Sequence, residues 1–269
     1  MTTYEEGPGN RPLTPSKVMV AIPSYKGLTC LPFLNALYDT ALVLEEKKIP
    51  WVIYIVYGHS YVQAARNDLV YKFLKSDCEK LLFLDEDVSW TPEAFLALLE
   101  SDKPITAAVY PAKTDELWSF PLPVVPICTE SGVPMTDGQY IRAVRAMTGF
   151  MCVHREVFTK LQEAYPNLAY TAQWKDDFAL KMFDFFPQGV YDGLWYGEDF
   201  AFCRLWEKIG GEIAVMPDFT LGHHGRGKSW YGTLSKYISQ LPGGVDHGNL
   251  NAEKAIWCED DKGELLWRY

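Results

Sequence analysis

The chain has 269 residues, 48% of them hydrophobic and 22% charged, with 20 Gly and 17 Pro. That balance suits a globular protein with a sizeable core and excludes collagen-like, coiled-coil and largely disordered classes. Its 25 Lys and Arg against 35 Asp and Glu leave a formal net charge of −10, which disfavours an extensive nucleic-acid surface or broad attraction to an anionic bilayer. The opening residues 1–16, MTTYEEGPGNRPLTPS, lack the basic start and apolar core of a signal peptide. They read as a flexible lead-in, and the cytoplasm is the expected location. Cys30, Cys78, Cys128, Cys152, Cys203 and Cys258 are scattered with no CxxC, as expected of reduced, mostly buried thiols.

Order begins at KVMVAIP, a short apolar run stopped by Pro23. A helical pattern over Leu31 to Glu46 leads into WVIYIVY, giving strand, helix, strand. The longest apolar runs, such as Trp51 to Tyr57, are strand-sized and too short for a membrane span. A second helix is predicted over Tyr61 to Leu74, where Val62, Ala65, Leu69 and Phe73 recur at helical spacing. It delivers the chain to KLLFLDED, in which Leu81 to Leu84 is apolar at every position, as in a parallel strand covered on both faces. Next, TPEAFLALLE offers Thr91 as N-cap and Pro92 at the first helical position, and PITAAVYP supplies another strand. This alternation is that of an open α/β sheet.

From Ala112 to Asp137 the sequence turns rich in Pro and turn formers, which places a boundary between a half 17–111 and a half 112–269 of a single unit. Beyond it the pattern predicts a strand from Gln139 to Met147, then a loop, strand and helix in MTGFMCVHREVFTKLQ. Phe202, Leu205, Trp206 and Ile209 give Gly197 to Ile209 the apolar face of an amphipathic helix, ended by Gly210 and Gly211. The strand EIAVMP and a loop LGHHGRGKSWYG follow.

Asp85, Glu86 and Asp87 stand at the end of the all-apolar strand. In extended chain Asp85 and Asp87 point one way and Glu86 the other. Two converging carboxylates repel or take up protons unless a cation joins them, and hard oxygen ligands suit Mg²⁺ or Mn²⁺ bridging to a phosphate. Ligands of open α/β sheets bind at this end of the strands. A solvated acidic turn capping the next helix is the alternative. Glu198 and Asp199 likewise either interact with a helix dipole or present a carboxylate to a hydroxyl substrate.

The run AARNDLVYKFLKSDCEKLLFLDED resembles glycosyltransferases of the GT-A fold, especially the family-2-like group. Ala64, Ala65, Arg66 and Asn67 match its Ala-Arg-Asn helix start, and Asp85 to Asp87 its Asp-x-Asp motif. AIPSYKG is similar to its first strand and nucleotide-binding turn, with Pro23, Ser24 and Tyr25 in the matching places; LWYGEDFAFCRLWEKIGG is similar to its Gly-x-Glu-Asp segment, and LGHHG to its downstream metal-site histidine. The build without a membrane anchor resembles small bacterial and phage members.

The resemblance implies a GT-A, Rossmann-like fold, with a mixed, mostly parallel sheet flanked by helices, and transfer of a sugar from a nucleotide-sugar, most readily a UDP-sugar, to a hydroxyl of a glycan, protein or modified base. Asp87 would bind Mn²⁺ or Mg²⁺ directly, Asp85 the ribose or the metal, and His223 would be the second metal ligand, with His224 as fallback. Asp199 would be the base and Glu198 would bind the acceptor. Pro23, Ser24, Tyr25, Arg66, Asn67 and Glu86 would line the donor site. Arg226 and Lys228 would neutralise the departing diphosphate from a segment that Gly225, Gly227 and Gly232 let close as a lid. Arg66 reads equally as an ion-pair partner. Trp118, Trp174, Trp195 and Trp230 are candidates for stacking on a sugar.

The strand WVIYIVYGHS lacks the acid that often holds the nucleobase in this family, and Ala201 stands where some relatives have a further Asp. Inversion at the anomeric carbon is expected, although retaining enzymes share the fold. Two other classes fit the pattern: a nucleotidyltransferase acting on a sugar phosphate, for which PSYKGLTC is poor in Gly and basic residues, and a non-catalytic nucleotide-sugar-binding relative.

Overall fold

The computed structural model describes residues 17–113, 124–130, 134–172 and 180–235. The first apolar run forms β1 (Val18–Ser24), buried throughout. Helix α1 (Leu31–Glu46) buries Phe33, Ala36, Thr40 and Leu44 along one face. Then come β2 (Trp51–Tyr57), α2 (Val62–Leu74), β3 (Lys80–Leu84) and a two-residue strand, β4 (Val88–Ser89). In α3 (Pro92–Glu100) the Thr91 side chain accepts from the Ala94 N–H, a cap worth about 1 kcal/mol. After it lies β5 (Ile105–Ala108).

The later strands are β6 (Val124–Pro126), β7 (Thr136–Asp137), β8 (Tyr140–Ala146) and β9 (Phe150–His154), the last running into α4 (Arg155–Ala164). Two small hairpins, β10 (Ala169–Thr171) with β11 (Lys181–Phe183) and β12 (Gly189–Tyr191) with β13 (Leu194–Tyr196), precede α5 (Glu198–Lys208). The described chain then forms β14 (Ile213–Met216), β15 (Leu221–His224) and β16 (Ser229–Gly232).

Nine strands build the main sheet, in the order β2-β1-β3-β9-β5-β14-β8-β6 with β7 beside β8. β1 is parallel to β2 and β3, and β14 to β5, whereas β9 and β8 run against all their neighbours. The sheet is therefore mixed and flanked by helices, but the expected mostly parallel pairing is not found: among the described residues three of its pairings are parallel and five antiparallel, because β8 and β9 are inserted in reverse. β3 has parallel β1 on one side only; its other neighbour, β9, is antiparallel. Its unbroken apolarity comes from burial on both faces. Leu81 and Phe83 join a core with residues of α2, α4 and α5, and Leu82 and Leu84 join a second with α1 and α3. Strands of the expected 17–111 and 112–269 halves share this sheet, because β9 and β14 lie on either side of β5.

The segment 221–232, expected as a closing loop, is instead a hairpin. β15 pairs with β16 and, along its other edge, with β4. The Gly225 N–H donates to the Lys228 carbonyl at 2.8 Å across the turn, and Gly227 takes the positive φ of 74° that the turn requires. Among the described residues no helix is long and apolar enough to cross a membrane. The described cysteines Cys30, Cys78, Cys128, Cys152 and Cys203 are free thiols. The lead-in 1–16, Trp118, Trp174, Cys258 and much of Ala112 to Asp137 lie outside the described residues.

Candidate active site

β3 ends at Leu84, and the chain turns at once, with the Val88 N–H donating to the Asp85 carbonyl at 3.1 Å. The alternation expected for extended chain is thereby replaced by a turn that sends three carboxylates to three different partners. Arg66 Nη2 lies 2.9 Å from Asp85 Oδ1, and the Tyr110 hydroxyl donates to Asp85 Oδ2 at 3.1 Å. Glu86 accepts from the Ser24 hydroxyl, and its carbonyl accepts from Thr29 at 2.8 Å. Asp87 pairs with Lys113 and faces His223 Nε2 at 3.6 Å.

The Glu86 contacts fasten the loop after β1 to this turn. The Gly27 N–H donates to Ser24 Oγ at 2.9 Å, in a backbone with φ of 63°. Pro23 and Ser24 are buried at the strand end, whereas Tyr25 projects into solvent.

His223 and His224 occupy different environments. The Nδ1 of His223 is 2.8 Å from the Pro111 carbonyl, which can only accept, so Nδ1 carries a proton and Nε2 is left facing Asp87. Nε2 meets the carboxylate through a second ring proton or through a bound cation. Buried His224 is held at both ring nitrogens, to Ser229 Oγ at 2.7 Å and Ser89 Oγ at 2.8 Å. Burial and the neighbouring His223 hold it below the usual histidine range. Burial acts to raise Asp87, but the neighbouring His223 and Lys113 outweigh it and keep the carboxyl below its ordinary value.

Among the described residues no group of three or more His, Cys, Asp or Glu side chains is placed to hold a metal. The expected set of Asp85, Asp87 and His223 is thus not assembled, because Asp85 is turned to Arg66 and Tyr110. Asp87 and His223 remain as a pair, and their donors suit a divalent cation that takes other ligands from a bound molecule.

Arg66 is 3% exposed and joins the two acidic motifs: beyond Asp85, its Nε stands 3.7 Å from Glu198 Oε1. Its Nε and Nη1 have no hydrogen-bond partner among the described residues, and its guanidinium lies 5.5 Å from the Phe83 ring centre. Burial opposes the charge, yet Asp85 and Glu198 together raise its pKa.

Aromatic packing sets the position of Glu198. Phe202 of α5 stacks on Phe186, which meets Phe83 of β3 edge to face at 5.7 Å. Phe186 is itself held by α2. Asn67 Nδ2 donates to Asp184 at 2.8 Å, and Asn67 Oδ1 accepts from the Phe185 N–H at 3.0 Å. Asn67, expected at the donor, therefore spends its amide on this segment.

Asp199 follows Glu198 and accepts from the Phe200 N–H at 2.8 Å. Withdrawal from solvent, then the charge of Glu198, pushes its carboxyl up to about 6. A carboxylate with that affinity is well placed on the pH scale to take a proton near neutrality. Arg226 and Lys228 are exposed in the β15–β16 turn, with Lys228 Nζ 5.4 Å from the Trp230 ring centre. Trp195 is exposed on β13, directly before α5.

Sequence reasoning missed Tyr110, Lys113 and Gly149. A Cβ at Gly149 would overlap Tyr110 Oη and Asp85 Oδ2, and its carbonyl accepts from the Asp85 N–H at 2.9 Å. Tyr110 follows β5 at the same sheet end as the acidic turn, a position that marks it in the sequence; Gly149 and Lys113 carry no such signal.

No protein-family model and no curated protein matches the chain. Among solved structures it is similar to GalNAc-T7 with UDP, GalNAc and Mn²⁺, at 13% identity and a TM-score of 0.42, covering 78% of this chain and 44% of that one. It is also similar to the inositol-1-phosphate CTP transferase from T. maritima, at 10% identity and a TM-score of 0.37, covering 78% of this chain and 89% of that one. The chain thus spans less than half the length of the first structure.

Proposed function

We propose that the chain is a metal-dependent glycosyltransferase of the GT-A type, moving a sugar from a nucleotide-sugar to a hydroxyl acceptor with inversion. The observation that carries this reading is the placement of Arg66 between Asp85 and Glu198, which joins the acidic turn after β3 to the first turn of α5 although the motifs lie far apart in sequence. One pole suits a nucleoside diphosphate and the other a hydroxyl nucleophile.

Asp87 and His223 would hold Mn²⁺ or Mg²⁺, which supplies positive charge to a departing diphosphate. Lys113, beside Asp87, adds a cation at the same point, and Arg226 and Lys228 add others from the hairpin turn. Ser24, Tyr25 and Glu86 form the wall toward the nucleoside. Asp199 accepts the proton of the acceptor hydroxyl while its oxygen bonds to the anomeric carbon and the bond to the diphosphate breaks. Glu198, restrained by Arg66, orients the acceptor, and exposed Trp195 offers an aromatic face to its sugar ring.

The test is thermal-shift and transfer assays over a panel of nucleotide-sugars, UDP-sugars first, with and without Mn²⁺. The reading predicts Mn²⁺-dependent binding that Asp87→Ala removes. It fails if no nucleotide-sugar binds or if Asp87→Ala leaves metal-dependent binding intact. Pyrophosphate release from a nucleoside triphosphate and a sugar phosphate would mark a nucleotidyltransferase instead.

A further inference from the structure

The outer flank of α1 carries large apolar side chains that nothing among the described residues covers. Leu31, Leu34, Tyr38 and Leu42 recur at helical spacing opposite the buried stripe of Phe33, Ala36, Thr40 and Leu44, and each is at least 50% exposed. Trp51 Nε1 donates to Glu45 Oε1 at 3.2 Å, so the flank bearing Glu45, Leu34 and Tyr38 turns toward β2. The opposite flank faces α3, where Trp90 Nε1 donates to Thr40 at 2.9 Å.

β2 is the last strand of the sheet and pairs only with β1 among the described residues. On the side of α1 it presents Trp51 and Ile53, partly buried, then Ile55 and Tyr57, which are 53% and 73% exposed. Its seven residues, WVIYIVY, hold no charge, and its register with β1 runs without a bulge. Exposed edges are ordinarily blunted by Lys, Pro, a bulge or a covering element.

We infer that the α1 flank and the β2 edge form the contact between two copies of this chain, related by a two-fold axis. The six exposed side chains Leu31, Leu34, Tyr38, Leu42, Ile55 and Tyr57 present on the order of 700 Å². That approaches the roughly 800 Å² per partner of a stable interface. An uncharged strand is complementary to itself when reversed, so two β2 strands add antiparallel and the main sheet becomes continuous across the pair. The two-fold then brings each α1 flank over the partner's bare sheet edge, with the patch of one copy meeting the same patch of the other.

Sedimentation velocity on the full chain, from about 1 to about 100 μM, tests the inference together with hydrogen exchange. The expected result is a species of twice the 30.6 kDa chain mass, with β2 amide exchange slowing as concentration rises. Ile55→Lys is expected to give single chains. Leu42→Glu, on an exposed helix position where folding is little affected, is the second variant and is expected to weaken association at least 10-fold. A single-chain mass throughout overturns the inference, as does a dimer that both variants leave intact. Concentration-independent protection of β2 in a single chain also overturns it, since another segment of the same chain would then cover the edge.

Discussion

His223 turns Nε2 to Asp87 Oδ1 at 3.6 Å while its Nδ1 is bonded to the Pro111 carbonyl, whereas the adjacent His224 spends both ring nitrogens on serine hydroxyls. Two successive histidines thus have opposite jobs. Titration with Mn²⁺, read as a thermal shift, should show His223→Ala lowering apparent affinity at least 10-fold. His224→Ala should keep Mn²⁺ binding but lose about 1–3 kcal/mol of stability, because Ser89 and Ser229 each lose a buried partner. Equal loss of Mn²⁺ binding in both variants would refute the distinction.

Asp199 links catalysis to stability. Its folded-state value of about 6 lies above the ordinary 3.8, so the folded chain binds the proton more tightly than the unfolded chain does. This contribution to stability is complete below about 4, declines as pH rises through 6, and leaves the ionised carboxylate a net cost above that. Asp199→Asn should therefore abolish transfer yet raise stability at pH 7.5 by about 1 kcal/mol, an advantage that vanishes by pH 4. Wild-type transfer should rise with pH around a midpoint near 6. A variant less stable than wild type at pH 7.5 would contradict this account.

Arg66 balances two carboxylates from within the protein. Arg66→Met should cost about 3–5 kcal/mol by urea unfolding, because Asp85 and Glu198 lose their shared cation. Adding Asp85→Asn should recover part of that loss. Additive losses in the double variant would show that Arg66 and Asp85 are energetically independent.

Gly149 leaves room for the site with its bare α-carbon. Gly149→Ala should cost about 1–3 kcal/mol and displace Tyr110 from Asp85, since the added methyl overlaps both. Unchanged stability and donor binding would show that the turn has slack there.

The sequence made the local elements plain where the period was strong. The helical pattern from Leu31 to Glu46 matches α1 at both ends, and Thr91 caps α3 as its position before Pro92 suggests. Lateral order was hidden. Nothing in Phe150 to His154 says that this strand enters between β3 and β5 in reverse, since pairing partners are chosen by the whole sheet. β4, two residues long, carries no period to read, and without it HHGRGKSW looks like free loop when it is the turn and the flanking rungs of a paired hairpin. At the site, the acidic motifs and His223 stood out by residue type. The division of labour within Asp85 to Asp87 did not, because a turn replaced the expected extension and Arg66, Tyr110 and Lys113 arrived from other elements.

β9 also governs the order in which the molecule can be made. On a ribosome, β1, β2 and β3 emerge first and can assemble, but β5 must wait beside an open place until the chain has grown past His154, and β14 comes later still. Until then the nascent protein carries unpaired apolar backbone on the inner side of β3 and on both sides of β5, the kind of surface that sticks to other chains. Synthesis rate across residues 112–154, and the chaperones that meet the chain there, should therefore affect the yield of folded protein.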